Sequence, residues 1–264
     1  MMKKSFFNRQ ETAVTALFTG NSIPELLTKV RDAAAKGADG IAVEINNIPP
    51  ESRTVENFRM LINEVPLPFM FICYRNCKYF GEDDDARQEF LLRAAEAGAE
   101  VIDVIGDLYG RAEDELSVDA ATVAKQKELI AKIHERGSKV LISSHMHKLP
   151  PKSAEEVLQY VTTQSERGAD ICKIVTNADT EEAFLEAIRT DLLLAKTFDK
   201  PFIHLSDGKF NRLHRFMGTK LGLAVTFGVS SYDETLYRQP LISSFKTVRD
   251  LIPWDVSGVL KLPQ

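Results

Sequence analysis

The 264-residue chain contains no stretch that approaches the ~20 consecutive apolar residues of a membrane helix. It also lacks a basic excess: 33 Lys and Arg stand against 38 Asp and Glu, for a net charge of −5. That balance argues against nucleic acid as the main partner, because a phosphate polymer needs a basic surface. A small anionic substrate stays compatible, since a few buried arginines set the potential of a cleft. Cysteine is scarce. Cys73, Cys77 and Cys172 form an odd set without a regular framework, which excludes a disulfide scaffold, and the first two lack neighbouring ligands for zinc. They read as reduced thiols of a cytoplasmic protein. The opening "MMKKSFFNRQET" turns polar after two lysines, so no signal peptide is expected. "FTGNSIPE" after the first apolar run is not G-x-G-x-x-G, which counts against an open dinucleotide-binding sheet. No Pro/Gly-rich linker or low-complexity segment divides the chain, and residues 1–264 are read as one domain.

What the sequence does contain is a repeating unit. "LLTKVRDAAAKGADGIAVEI", "FLLRAAEAGAEVIDVIG", "LIAKIHERGSKVLISSH" and "VLQYVTTQSERGADICKIV" each run from an amphipathic helix through a glycine into a short apolar segment. Gly37, Gly98, Gly137 and Gly168 suit the left-handed position that ends a helix. The apolar runs are continuous rather than alternating, as in parallel strands covered on both faces. The full pattern predicts strands over 13–18, 39–45, 68–74, 100–105, 139–144, 170–175, 201–205 and 222–227. It predicts helices over 22–36, 54–63, 84–97, 120–136, 153–167, 180–196, 208–218 and 239–251. Strict alternation of eight and eight, at a length near ~250 residues, predicts an α/β fold of the (β/α)8 TIM-barrel type.

Active sites of such barrels lie at the C-terminal ends of the strands. The polar residues that end the apolar runs are Glu44, Arg75, Asp103, His145 with His147, Lys173 and His204, followed by Arg212 at the next helix start. Strand side chains alternate in direction. Glu44, Asp103 and Lys173 stand at odd offsets from their helix-ending glycines, which predicts one shared face, the barrel interior. His145 stands at an even offset from Gly137 and is expected on the loop. An enclosed lysine has a lowered pKa. As a neutral amine it attacks carbonyl carbon to give a Schiff base, which acidifies the adjacent C–H bond. Histidine is matched to taking that proton near neutrality. Lys173 with His145 therefore points to imine-assisted proton abstraction beside a carbonyl. The competing structural readings are a salt-bridged lysine paired with Glu44, ordinary loop histidines, surface arginines and a structural Asp103.

These segments resemble the type I 3-dehydroquinate dehydratase family. "GADGIAVEI" is similar to its second strand, "PLPFMFICYR" to its third, "VLISSHMHKLPP" to its histidine segment, "GADICKI" to its lysine segment and "DGKFNR" to its glycine-x-x-x-arginine stretch. The resemblance implies Lys173 as the imine-forming lysine and His145 as the proton shuttle. It implies Glu44, Arg75, Arg212 and, in "LYRQP", Gln239 as substrate-binding residues. It further implies a small anionic hydroxy-keto acid substrate, no metal or organic cofactor, and a homodimer. The chain departs from the family pattern at Tyr79, where an acid that orients the histidine is expected. It departs again at Asn46 in place of an arginine, at Ile105 in place of an acid, and in the last loop, "SYDETLYRQP". The implied reaction is conversion of 3-dehydroquinate to 3-dehydroshikimate. The departures leave open a paralogue using the same imine on another hydroxy-keto acid or aldol substrate, or a ligand-binding descendant without turnover.

Overall fold

The structure is a computed structural model, and it describes residues 4–7, 11–81, 83–232 and 239–256. Eight strands alternate with eight helices: β1 Ala13–Thr19, α1 Ile23–Ala35, β2 Gly40–Glu44, α2 Val55–Asn63, β3 Phe69–Ile72, α3 Asp84–Glu96, β4 Val101–Ile105, α4 Ala120–Glu135, β5 Lys139–His145, α5 Ala154–Arg167, β6 Ile171–Asn177, α6 Glu181–Thr197, β7 Phe202–Asp207, α7 Asn211–Gly218, β8 Val225–Gly228 and α8 Ile242–Leu251. All strands pair in parallel, in the order β7-β6-β5-β4-β3-β2-β1-β8. At the seam between β7 and β8 the Ala224 amide donates a hydrogen bond to the Phe202 carbonyl at 2.9 Å, which nearly closes the ring. The fold is a (β/α)8 barrel.

Local chemistry sets the element ends. Ser22, Thr54, Asp83, Asp119, Ser153 and Thr180 each accept an amide hydrogen in the first turn of the helix that follows. Gly37, Gly98, Gly137 and Gly168 all have positive φ, so each helix-to-strand turn uses the left-handed conformation that the sequence pattern predicts. β6 and β7 run two residues past their predicted ends, because Thr176 with Ser206 and Asn177 with Asp207 continue the ladder after the apolar run stops. β8 starts three residues later than predicted, since Gly222 at φ +94° still belongs to the turn.

Strand register corrects the expectation for His145. Leu141 pairs with Ile171, and Ser143 pairs with Lys173. Val101, three residues after Gly98, pairs with Lys139, only two residues after Gly137. Parity counted from Gly137 is therefore off by one, and His145 is the last residue of β5 with its side chain in the same phase as Ser143.

The loop from β4 to α4 is fixed from behind. Arg167 of α5 donates to the Gly106 carbonyl at 2.6 Å and to the Ser117 carbonyl at 2.5 Å. Gln126 of α4 donates to the carbonyls of Gly106 and Leu108 at 3.2 and 2.6 Å. Tyr160 of α5 donates to Asp114 at 2.6 Å. Gly106 sits where a Cβ would stand 2.5 Å from the Glu115 carbonyl oxygen and 2.9 Å from Ser144 Oγ. Gly106→Ala is expected to destabilise the protein by about 1–3 kcal/mol through overpacking. The urea midpoint measures this, and an unchanged midpoint contradicts the close approach.

Candidate active site

Lys173 lies in the middle of β6 and is only 5% exposed. Its Nζ donates to Tyr74 Oη at 2.7 Å, lies 3.1 Å from His145 Nε2 and stands 3.7 Å from Asp103 Oδ2. Tyr74 follows β3 and donates to Asp103 Oδ2 at 2.9 Å. Ser143 of β5 donates to Asp103 Oδ1 at 2.6 Å. Asp103 thus faces inward from β4, as its offset predicts, and it accepts a hydroxyl on each oxygen.

On the other side of the lysine, His145 Nδ1 lies 2.8 Å from Glu115 Oε2, and the same oxygen accepts the His145 amide at 2.8 Å. We assign the ring proton from these partners. Nε2 faces an ammonium that can only donate, so Nδ1 carries the hydrogen and gives it to the carboxylate. Glu115 has φ 51°, in the left-handed region, on the pinned β4–α4 loop. The acid expected after Arg75, where Tyr79 stands, is therefore supplied from a different element.

The electrostatics follow burial. Desolvation lowers the Lys173 pKa, against the pull of Asp103, Glu115 and Glu44. Burial raises Glu44. Burial also acts to raise Glu115, but the hydrogen bonds and charge of His145 outweigh it and leave the carboxyl below its ordinary value. Tyr74 is pushed well above 10 by burial first and by the Asp103 and Glu44 charges second.

These groups line a cavity of about 250 Å³ whose wall includes Glu44, Tyr74, His145, Lys173, Arg215 and Gln239. Glu44 accepts from the Asn46 amide at 2.6 Å, and Asn46 is tied in turn to Asn76 and to the Tyr74 amide. Asn46, at the position of the expected arginine, is thus a buried strut for the glutamate. Gln239 accepts from Arg215 Nη1 at 2.9 Å.

Arg75 is held outside the cavity by Asp107 at 2.7 Å and Asp84 at 3.4 Å, and it lines a side cleft of about 310 Å³ shared with His145 and Glu115. Arg212 is exposed on the first turn of α7, with its guanidinium 5.1 Å from the Tyr232 ring centre, and lines a second cleft of about 540 Å³. His147 lines the cavity and both clefts, and burial lowers its pKa. The guanidinium that enters the central cavity is that of Arg215, one helical turn beyond Arg212 and buried. Glu115, Tyr74 and Arg215 were not singled out from the sequence. The signal available for Arg215 was helical phase, since His214, Arg215 and Gly218 form the buried face of α7.

His204 does not reach the mouth. It pairs with Ile174, not Lys173, and so faces the helical layer. There Asp191 accepts from His204 Nδ1 at 2.7 Å and from His214 Nε2 at 3.1 Å, and Thr176 Oγ1 lies 2.9 Å from His204 Nε2. Each imidazole addresses its own carboxylate oxygen, so the cluster reads as a hydrogen-bonded brace between α6, β7 and α7.

The family model described as Type I 3-dehydroquinase matches residues 15–252. A 3-dehydroquinate dehydratase of Klebsiella pneumoniae is 25% identical over 236 residues, covering 86% of this chain and 88% of that protein. One from Clostridium kluyveri is 28% identical over 177 residues, covering 66% and 64%. Among solved structures, 3-dehydroquinate dehydratase from Geobacillus kaustophilus superposes with a TM-score of 0.77 at 16% identity, covering 93% of both chains. The type I enzyme from Clostridium difficile with covalently modified comenic acid superposes with a TM-score of 0.74 at 18% identity, covering 93% and 94%. With the match spanning the barrel from β1 to the end of α8, the chain belongs to the type I 3-dehydroquinase family.

Proposed function

We propose that this protein is a carbon–oxygen lyase that dehydrates 3-dehydroquinate to 3-dehydroshikimate through a Schiff base on Lys173. The observation that carries this reading is the contact between a desolvated Lys173 Nζ and His145 Nε2, 3.1 Å apart, in a cavity that also holds a guanidinium. Burial lowers the pKa of the amine, which eases its conversion to the neutral nucleophile, and His145 stands where it can accept a proton from Nζ. After imine formation the substrate C2–H is acidified. His145 takes that proton and returns it to the departing hydroxyl, with Glu115 balancing the imidazolium charge between the two steps. Arg215 is the cation available to the substrate carboxylate inside the cavity. Glu44 and Gln239 bind the polar ring substituents. Arg75 and Arg212 bind and guide the anion from the flanking clefts. The reading extends, as the family resemblance implies, to a cytoplasmic homodimer that uses no metal or organic cofactor. No described helix is long and apolar enough to cross a membrane.

Incubation with 3-dehydroquinate and borohydride is expected to leave a reduced adduct on Lys173, located by peptide mass spectrometry. Turnover is expected as a rise in enone absorbance. Lys173→Ala is expected to lose both while keeping a native circular dichroism spectrum. Absence of both adduct and absorbance change in the wild type would overturn the reading.

Glu115→Gln keeps an oxygen for the His145 ring and amide but removes the charge. We expect kcat to fall about 10–100-fold with KM little changed. An unaltered kcat removes Glu115 from the histidine's function.

The buried amine also sets a pH dependence of stability. Its folded pKa lies below the ordinary 10.5, so across that interval the unfolded chain binds more protons on this group. Stability from Lys173 is therefore lost as pH falls from 10.5 toward the lowered value. The Tm of Lys173→Met relative to wild type is expected to increase as pH is lowered through this window. A pH-independent difference contradicts the desolvation of the amine.

A further inference from the structure

Resting on the Schiff-base reading above, the stoichiometry of imine formation raises a question about Nζ. A lysine ammonium carries three N–H protons and the protonated imine carries one. The carbonyl oxygen leaves as water with two. As the C–N bond forms, the C–O π pair moves to oxygen; the remaining C–O bond then breaks and its electrons leave with the water. Two protons must pass from nitrogen to oxygen over the sequence, one before attack frees the lone pair and one after the carbinolamine forms.

Lys173 stands between two separate hydrogen-bonded chains. His145 and Glu115 form one, with His145 Nε2 at 3.1 Å from Nζ. Tyr74, Asp103 and Ser143 form the other, with Tyr74 Oη at 2.7 Å from Nζ. Asp103 Oδ2, at 3.7 Å, lies beyond direct hydrogen-bonding distance of Nζ. The Tyr74 hydroxyl spans that gap, bonded to both partners.

We propose that Tyr74 is a further catalytic residue, a relay that carries one of the two Nζ protons to Asp103 and returns it to the carbinolamine hydroxyl as that group leaves as water. In the outward step the Tyr74 oxygen gains a proton from Nζ as its own passes to Asp103. In the return step both transfers reverse direction, with the carbinolamine oxygen as the acceptor. No external acid or base is required. Several features support it. Tyr74 lines the cavity, and its hydroxyl lies 2.7 Å from the nitrogen on which the carbinolamine forms. Burial and the Asp103 and Glu44 charges keep the phenol protonated at rest, so the oxygen passes a proton without storing a negative charge. Ser143 on the second Asp103 oxygen holds the carboxylate toward Tyr74. The competing role is packing alone, since the Tyr74 ring meets the His145 ring edge-on at 5.0 Å. Phenylalanine preserves that packing and removes the relay.

The test is the rate at which borohydride-trappable adduct appears on Lys173 of the full chain after mixing with 3-dehydroquinate, quenched at successive times. Tyr74→Phe and Asp103→Asn are each expected to slow adduct formation by about 100-fold. Tyr74→Phe combined with His145→Ala is expected to form none over the time in which either single variant forms it. Circular dichroism and melting of each variant show whether it is folded. Should Tyr74→Phe trap at the wild-type rate, or should Asp103→Asn do so while Tyr74→Phe is slow, the relay is overturned and the Schiff base stands. Should the wild type trap nothing, the Schiff-base reading itself fails.

Discussion

The rest of the site depends on the cost of holding an ammonium inside a parallel strand. Lys173 is flanked along β6 by Ile171, Cys172, Ile174 and Val175, and desolvation is the largest influence on its charge. Asp103 at 3.7 Å, with Glu115 and Glu44 acting on it electrostatically, offsets that cost. Each of these acids has its own supports: Tyr74 and Ser143 for Asp103, His145 for Glu115, Asn46 for Glu44. The amine is therefore neither free nor locked in one tight ion pair. A close bidentate carboxylate would stabilise the ammonium and suppress nucleophilicity. The wider spacing puts hydroxyl and imidazole, rather than carboxylate, in direct contact with Nζ.

The histidine illustrates how the chemistry outlasts a change of sequence. At Tyr79 the chain lacks the acid that the family resemblance leads one to expect, and that departure motivated the reading as a descendant without turnover. Glu115 removes the motive, because a carboxylate meets Nδ1 from the β4–α4 loop. What the imidazole requires is a negative oxygen on the far nitrogen that fixes the tautomer, and any element able to reach that point serves. Tyr79 serves otherwise: its exposed ring and that of Phe80 cover the buried Arg53, whose guanidinium lies 5.6 and 5.3 Å from the two ring centres.

Much of this was legible in the sequence because it follows from periodicity. Helix, glycine and apolar run recur often enough to give the barrel, and the odd offsets of Glu44, Asp103 and Lys173 correctly place three polar residues on the interior face. Parity failed for His145 for a reason periodicity cannot carry: the β4–β5 register shifts by one residue relative to the two glycines. Glu115 was out of reach because it lies in an irregular loop, at φ 51°, where side-chain direction has no period. Arg215 was hidden by its neighbour. Two arginines three residues apart on α7 look alike in a motif, and it is Arg215 that shares the buried face with His214, which packs against Asp191.

That last contact ties the Arg215 end of the cavity to the outer layer of the barrel. α7 is eight residues long and has no side-chain cap at its start, so its own hydrogen bonds hold it weakly. Its position comes instead from Asp191 of α6, which accepts from His214 on α7 and from His204 on β7. Arg215 follows His214 directly and inherits that placement, as does Gln239, which accepts from it. The lysine end of the cavity is set by strand register, which is rigid. The Arg215 end is set by a short helix on a buried imidazole–carboxylate brace. A ligand spanning the two would meet one boundary set by strand register and one set by a short helix without a side-chain cap.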